Sequence, residues 1–215
     1  MTNQDVWYTV NSFLKDKNLE LDLNQFNRVY ALANEQLKRE CYGPINDPTG
    51  YETESQITDE LLPFKSAPTD IALTSGVGTM PSDYWHKVEM IVKSTGKRIQ
   101  IVDSREYSYR KNNAVTGPSA DYPICELLDG TFRVLPTTIT EVTLTYLKTG
   151  NIPQIVLKQD STKGIQVYDS ANSVAPEWNQ DKYIDLIRIF VGLLSLPMDN
   201  AQILGYMESK VKSEN

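Results

Sequence analysis

Few residues in this 215-residue chain are of types that do chemistry: one histidine, His86, two cysteines, Cys41 and Cys125, a Gly76-Val77-Gly78 run, and scattered carboxylates. Histidine is the usual general acid or base because it titrates near neutral pH. His86 ends Pro81-Ser82-Asp83-Tyr84-Trp85-His86, at the start of an expected strand and beside two large aromatics, which reads as a packing or surface residue rather than a base. Neither cysteine comes with the second motif of a Cys–His pair, and there is no metal-ligand spacing. Gly76-Val77-Gly78 lacks the third glycine, the Lys-Ser/Thr and the following helix of a phosphate-binding loop, and is expected to be a flexible loop. No pair of carboxylates sits in an apolar frame that would separate their pKa values. The sequence thus offers no catalytic, cofactor-binding or metal-ligating residue, and the chain is expected not to be an enzyme.

Composition sets what could position such residues. Hydrophobic residues at 40% and charged residues at 23% are ordinary globular usage, and the length suffices for a self-sufficient core. A net charge of -7 and a pI near 4.8 disfavour a protein that grips phosphate backbones through Lys and Arg. Residues 1–70 hold 6 basic and 12 acidic side chains, 71–150 hold 9 and 8, and 151–215 hold 6 and 8, so the acidic surplus sits at the front. Two isolated cysteines favour a reducing, cytosolic assembly site. No basic segment leads into an apolar run at the N-terminus, so a secretory signal is not expected. The most apolar stretch, Ile184 to Met198, is broken by Asp185 and Arg188 and closed by Pro197, short of the roughly 20 residues that span a bilayer, so no membrane anchor is expected.

Periodicity predicts a first helix near 4–16 with Val6, Val10, Phe13 and Leu14 on one face. A second follows Asp22 or Asn24 as N-cap and carries Phe26, Val29, Tyr30, Ala33 and Leu37 as a stripe. Gly43-Pro44 and Asp47-Pro48-Thr49-Gly50 are turn signals, and a short helix is expected around 55–62 within a stretch that has five acids and no Lys or Arg. From 71 to about 168 the pattern becomes short β-rich runs. Two hairpins are expected, 88–92 with 98–102 across Lys93-Ser94-Thr95-Gly96-Lys97, and 124–127 with 131–135 across Asp129-Gly130, whose glycine tolerates the positive φ of a tight turn. Asp103-Ser104-Arg105-Glu106 resembles a capping box opening a helix to about Arg110. Glu141 to Leu147 alternates as a strand, and 155–158 and 164–168 read as a further pair. Helix returns with Tyr183, Leu186, Ile187, Phe190, Val191 and Leu194, and Asp199 to Gln202 reads as the cap of a last one. The expected fold is α+β: a discontinuous helical bundle from 1–65 plus 175–215, with an antiparallel β-rich module, 66–174, inserted. Trp85, Trp178 and Tyr183 are read as packing residues, and Trp7 and Tyr8 as core or interface.

Ordered along the chain are Gln4-Asp5-Val6-Trp7-Tyr8, Ala31-Leu32-Ala33-Asn34-Glu35-Gln36-Leu37, the Tyr42-Gly43 turn, Thr58-Asp59-Glu60-Leu61-Leu62-Pro63-Phe64, Met80-Pro81-Ser82-Asp83-Tyr84, Tyr122-Pro123-Ile124-Cys125 and Leu144-Thr145-Tyr146-Leu147. Together, over nearly the whole chain, they resemble a virion structural protein of tailed phages of gut Bacteroidetes, the crAss-like phages. The resemblance implies a ring or head–tail connector subunit beneath the portal, dodecameric, contacting copies of itself, the portal protein and adjacent tail rings. DNA would pass through the ring without specific binding, and the protein would reside in the virion after assembly in the host cytoplasm. No family motif carries a functional residue onto this chain. In this setting the turn-rich segments 42–54, 65–79 and 111–121 are expected to be loops that reach neighbouring rings. The alternative is a non-catalytic ligand- or carbohydrate-binding module of a phage tail, suggested by the β-rich middle and its aromatics.

Overall fold

A computed structural model describes residues 2–17, 19–42, 59–113, 115, 117–160 and 164–194. The fold is mixed α+β, with five helices and mainly antiparallel sheets among the described residues. Contacts divide the chain into two compact units, 1–63 with 150–215, and 64–149.

In the first unit, α1 (Asn3–Asp16) begins at Thr2, whose side chain accepts from the Asp5 amide while the Asp5 carboxylate accepts from the Thr2 amide, a reciprocal capping box. Asp22 and Gln25 exchange the same pair of bonds at the start of α2 (Leu23–Tyr42). A 3-10 helix (Asp59–Phe64) stands where the sequence predicts a helix over 55–62, with Pro63 inside it; residues 55–58 lie outside the described residues. α4 (Lys182–Leu193) follows. Apolar residues at helical spacing are buried: Val6, Val10, Phe13 and Leu14 of α1, Phe26, Tyr30, Ala33 and Leu37 of α2, and Leu186, Ile187 and Phe190 of α4. The Phe26 ring lies 4.7 Å from Trp7 edge-on and 4.8 Å from Phe190. Such contacts add about 0.5–1.5 kcal/mol each beyond the area they bury. The expected helix after Asp199 lies outside the described residues.

Residues 150–174, which the sequence groups with the β module, are bonded to the helices instead. Gln154 bridges Val174, and a short hairpin of two strands, Leu157–Gln159 and Gln166–Tyr168, lies between them. The Asn3 amide donates to the Val174 carbonyl, and Asn27 bonds Ile155. Period-two alternation identifies a strand and carries no information about which body the strand joins.

In the second unit, β1 (Thr69–Ala72), β7 (Glu141–Lys148) and β3 (Tyr84–Val92) form one sheet in the order β1-β7-β3. The other sheet runs β2-β6-β5-β4, from Val77–Thr79, Thr131–Leu135, Ile124–Leu128 and Gln100–Ile101. Alternation on the pleat sorts neighbours to opposite faces. Cys125, Phe132 and Val134 join Met90, Val92, Val142 and Leu144 in a core shared by the two sheets. Ile124 and Leu135 face the other way, against Tyr107 of α3 (Ser104–Lys111), whose N-cap Asp103 accepts from the Glu106 amide.

The β5–β6 hairpin turns at Asp129-Gly130 as predicted. The predicted 88–92 with 98–102 hairpin is curtailed. The returning chain touches β3 at Arg98 opposite Ile91 and through the Ile99 amide to the Met90 carbonyl, 2.8 Å. Ile99 then enters the shared core, and β4 pairs in parallel with β5. The module is therefore antiparallel except at this one ladder among the described strands.

Candidate functional site

The residues of reactive type are each taken up by packing or hydrogen bonding. His86 lies on β3 opposite Leu147, its ring 4.5 Å from that of Trp85. Burial holds its pKa below the ordinary 6.5, so the ring is neutral at pH 7. Cys125 is wholly buried in the core between the sheets, and burial pushes its thiol up to about 12. A thiol in that state is not a nucleophile, because the reactive species is the thiolate.

Cys41 is in a polar group of the helical unit. It lies in the last turn of α2 and donates to the Glu60 carboxylate of the 3-10 helix; burial first, and then that bond, push it up to about 12. Glu60 also accepts from the Lys182 ammonium at 2.6 Å, which holds its carboxyl below the usual range. Lys182 reaches Asp185 at 3.3 Å as well and is raised by its two carboxylates, Glu60 first. This arrangement staples three helical elements together: thiol proton, carboxylates and ammonium are all engaged with one another. Among the described residues no group of three or more His, Cys, Asp or Glu side chains could hold a metal ion. No described helix is long and apolar enough to cross a membrane.

The glycine run is not a loop. Ser75 and Gly76 both have positive φ, 53° and 79°, and turn the chain at Thr74–Val77. Gly78 then pairs with Phe132 in the β2–β6 ladder, where an added Cβ would stand 2.3 Å from the Phe132 ring. The second glycine is there so that a backbone can lie on an aromatic ring. Of the three expected reaching loops, 65–79 contains β1 and β2, with Ser66 bonded to Tyr146 through both its backbone and its hydroxyl. Residues 43–54, 114 and 116 lie outside the described residues, and 112–113 and 117–121 are irregular chain after α3.

Asparagines inside helices form a set of polar contacts that no motif announces. Asn27 donates to the Ile155 carbonyl at 2.9 Å and accepts from the Ile155 amide at 2.8 Å. Asn34 accepts from the Trp178 indole at 2.7 Å, and Asn3 accepts from the Tyr30 hydroxyl at 2.7 Å. The sequence signal is Asn27 and Asn34 seven apart on the apolar side of α2, where a residue poor in helix propensity must be repaid by a partner.

Of the aromatics, Trp178 and Tyr183 are buried as read, and Trp85 is half-buried. Tyr8, Tyr109 and Tyr122 are exposed. Tyr109 shares α3 with Arg105, Arg110 and Lys111. No protein-family model matches the chain, and no curated protein matches it.

Proposed function

We propose that the chain is a structural subunit of a phage portal–tail assembly, working by packing against copies of itself and against neighbouring rings. The observation that carries this reading is the ordered set of segments, from Gln4-Asp5-Val6-Trp7-Tyr8 to Leu144-Thr145-Tyr146-Leu147, that resembles crAss-like phage virion proteins. The state of the reactive groups supports it: a neutral His86, two thiols pushed up to about 12, and a glycine run used for packing.

In this proposal the N- and C-terminal helices form a bundle that gives the ring its rigidity. Subunits close into a dodecameric ring through which DNA passes during packaging and ejection. The -7 charge makes the lumen a repulsive surface for phosphates, so DNA moves without adhering. Residues do no covalent chemistry; assembly is the activity.

The test is to tag the chain in intact particles and locate it by electron microscopy. The expected result is label confined to the portal vertex, with an acidic channel wall in the averaged map. A Lys/Arg-lined channel overturns the lumen proposal. Label along the tail fibres, together with saturable binding of a glycan by the free chain, overturns the ring reading in favour of a carbohydrate-binding tail module.

A further inference from the structure

α3 buries little of itself. Tyr107 is its one buried residue and rests on Ile124 and Leu135, while Arg105, Ser108, Tyr109 and Lys111 are exposed. Tyr109 is 66% exposed, and Tyr122, on the turn that leads back into β5, is 79% exposed. Arg110 is bonded to Glu106 at 2.6 Å and to Gln100 at 2.9 Å. Arg105 and Lys111 form no ion pair among the described residues. Exposed tyrosine beside unengaged arginine is the composition of a protein-binding patch, where rigid aromatic area and planar cations concentrate.

The chain also carries the matching charge. Residues 64–149 hold 10 basic and 9 acidic side chains, whereas the helical unit, 1–63 with 150–215, holds 11 basic and 19 acidic ones. The acidic surplus that would neutralise the α3 face therefore belongs to the other unit of the same sequence.

We propose that the α3 face, Arg105, Tyr109 and Lys111 with Tyr122, docks the acidic helical unit of a second copy of this chain. The two surfaces differ, so the contact is head-to-tail, the type that closes into rings or runs on as filaments. This rests on the ring reading above and names the surface that joins its subunits.

The test is sedimentation of the full chain, free and mixed with portal, at low and high salt, for wild type, Arg105→Glu with Lys111→Glu, Tyr109→Ala, and the conservative Arg105→Lys with Lys111→Arg. Wild type is expected to associate more strongly at low salt. The charge reversal should weaken association about tenfold or more. Tyr109→Ala should weaken it too, and the conservative pair should retain it, all with wild-type circular dichroism and melting. A folded charge-reversed chain that associates like wild type, or still rings up on the portal, overturns the α3 inference and leaves the ring reading standing. A wild-type chain that is monomeric both free and with portal overturns both. Retention of a duplex oligonucleotide by wild type and not by the reversal variant overturns the inference in favour of a nucleic-acid surface.

Discussion

Asn27 satisfies both backbone groups of Ile155, a residue with no exposed surface, as a neighbouring strand would. Replacing it with alanine leaves a buried amide and a buried carbonyl without these partners. At roughly 1–3 kcal/mol for each such group, Asn27→Ala should destabilise the helical unit by about 2–6 kcal/mol in denaturant melts. Asn27→Asp keeps the acceptor and should lose less; equal losses would mean that the retained acceptor contributes nothing. His86 gives a pH dependence of known sign. Its folded pKa lies below the ordinary 6.5, so the unfolded chain binds the proton more readily. Its contribution is complete above that pH and is lost as pH falls through it towards the lower folded value. Stability should drop between pH 7 and 5, and His86→Gln should flatten that slope. An unchanged slope would show that His86 is as solvated folded as unfolded. Neither role was legible in the sequence, because a hydrogen bond between residues 27 and 155 leaves no local pattern and burial of a lone histidine depends on which strands flank it.

At the scale of elements, local pattern was informative where short-range physics decides. The Asp129-Gly130 hairpin, the α1 and α3 starts, the Phe26 to Leu37 stripe and the Glu141 to Leu147 alternation all follow from turn chemistry, capping or periodicity. What failed was pairing: β4 leaves β3 to join β5 in parallel, a choice made by Ile99 entering the inter-sheet core. Glycine was misread for a similar reason, since Gly78 is needed by the Phe132 ring across the ladder. Gly78→Ala should cost about 1–3 kcal/mol by overpacking, measured by urea unfolding. Adding Phe132→Leu should make the Gly78 substitution less costly than it is in the wild-type background; the same cost in both backgrounds would disprove the steric origin. In the helical unit, Phe190 touches Phe26 and lies 6.3 Å from Tyr30. Phe190→Ala should cost about 3–5 kcal/mol, and a loss below about 1 kcal/mol would show that the helices do not depend on this contact.

For the whole molecule, the division of charge is the feature with the widest consequence: 11 basic against 19 acidic side chains in the helical unit, near balance in the sheet unit. In the ring proposal, a chain so divided would repel phosphate over one unit and attract its own copies through the other. The mixed α+β character was legible because helical and strand periods alternate along the chain, but the allegiance of 150–174 was not. Residues 150–174 read as strand and lie with the helices, held by asparagines whose partners are distant in sequence. The central claim is assembly, and electron microscopy of the purified chain mixed with the portal of the same phage tests it most directly. A closed ring of this chain, coaxial with the portal and seated beneath it, is the expected result. Portal particles that carry no additional density at saturating chain concentration would contradict it.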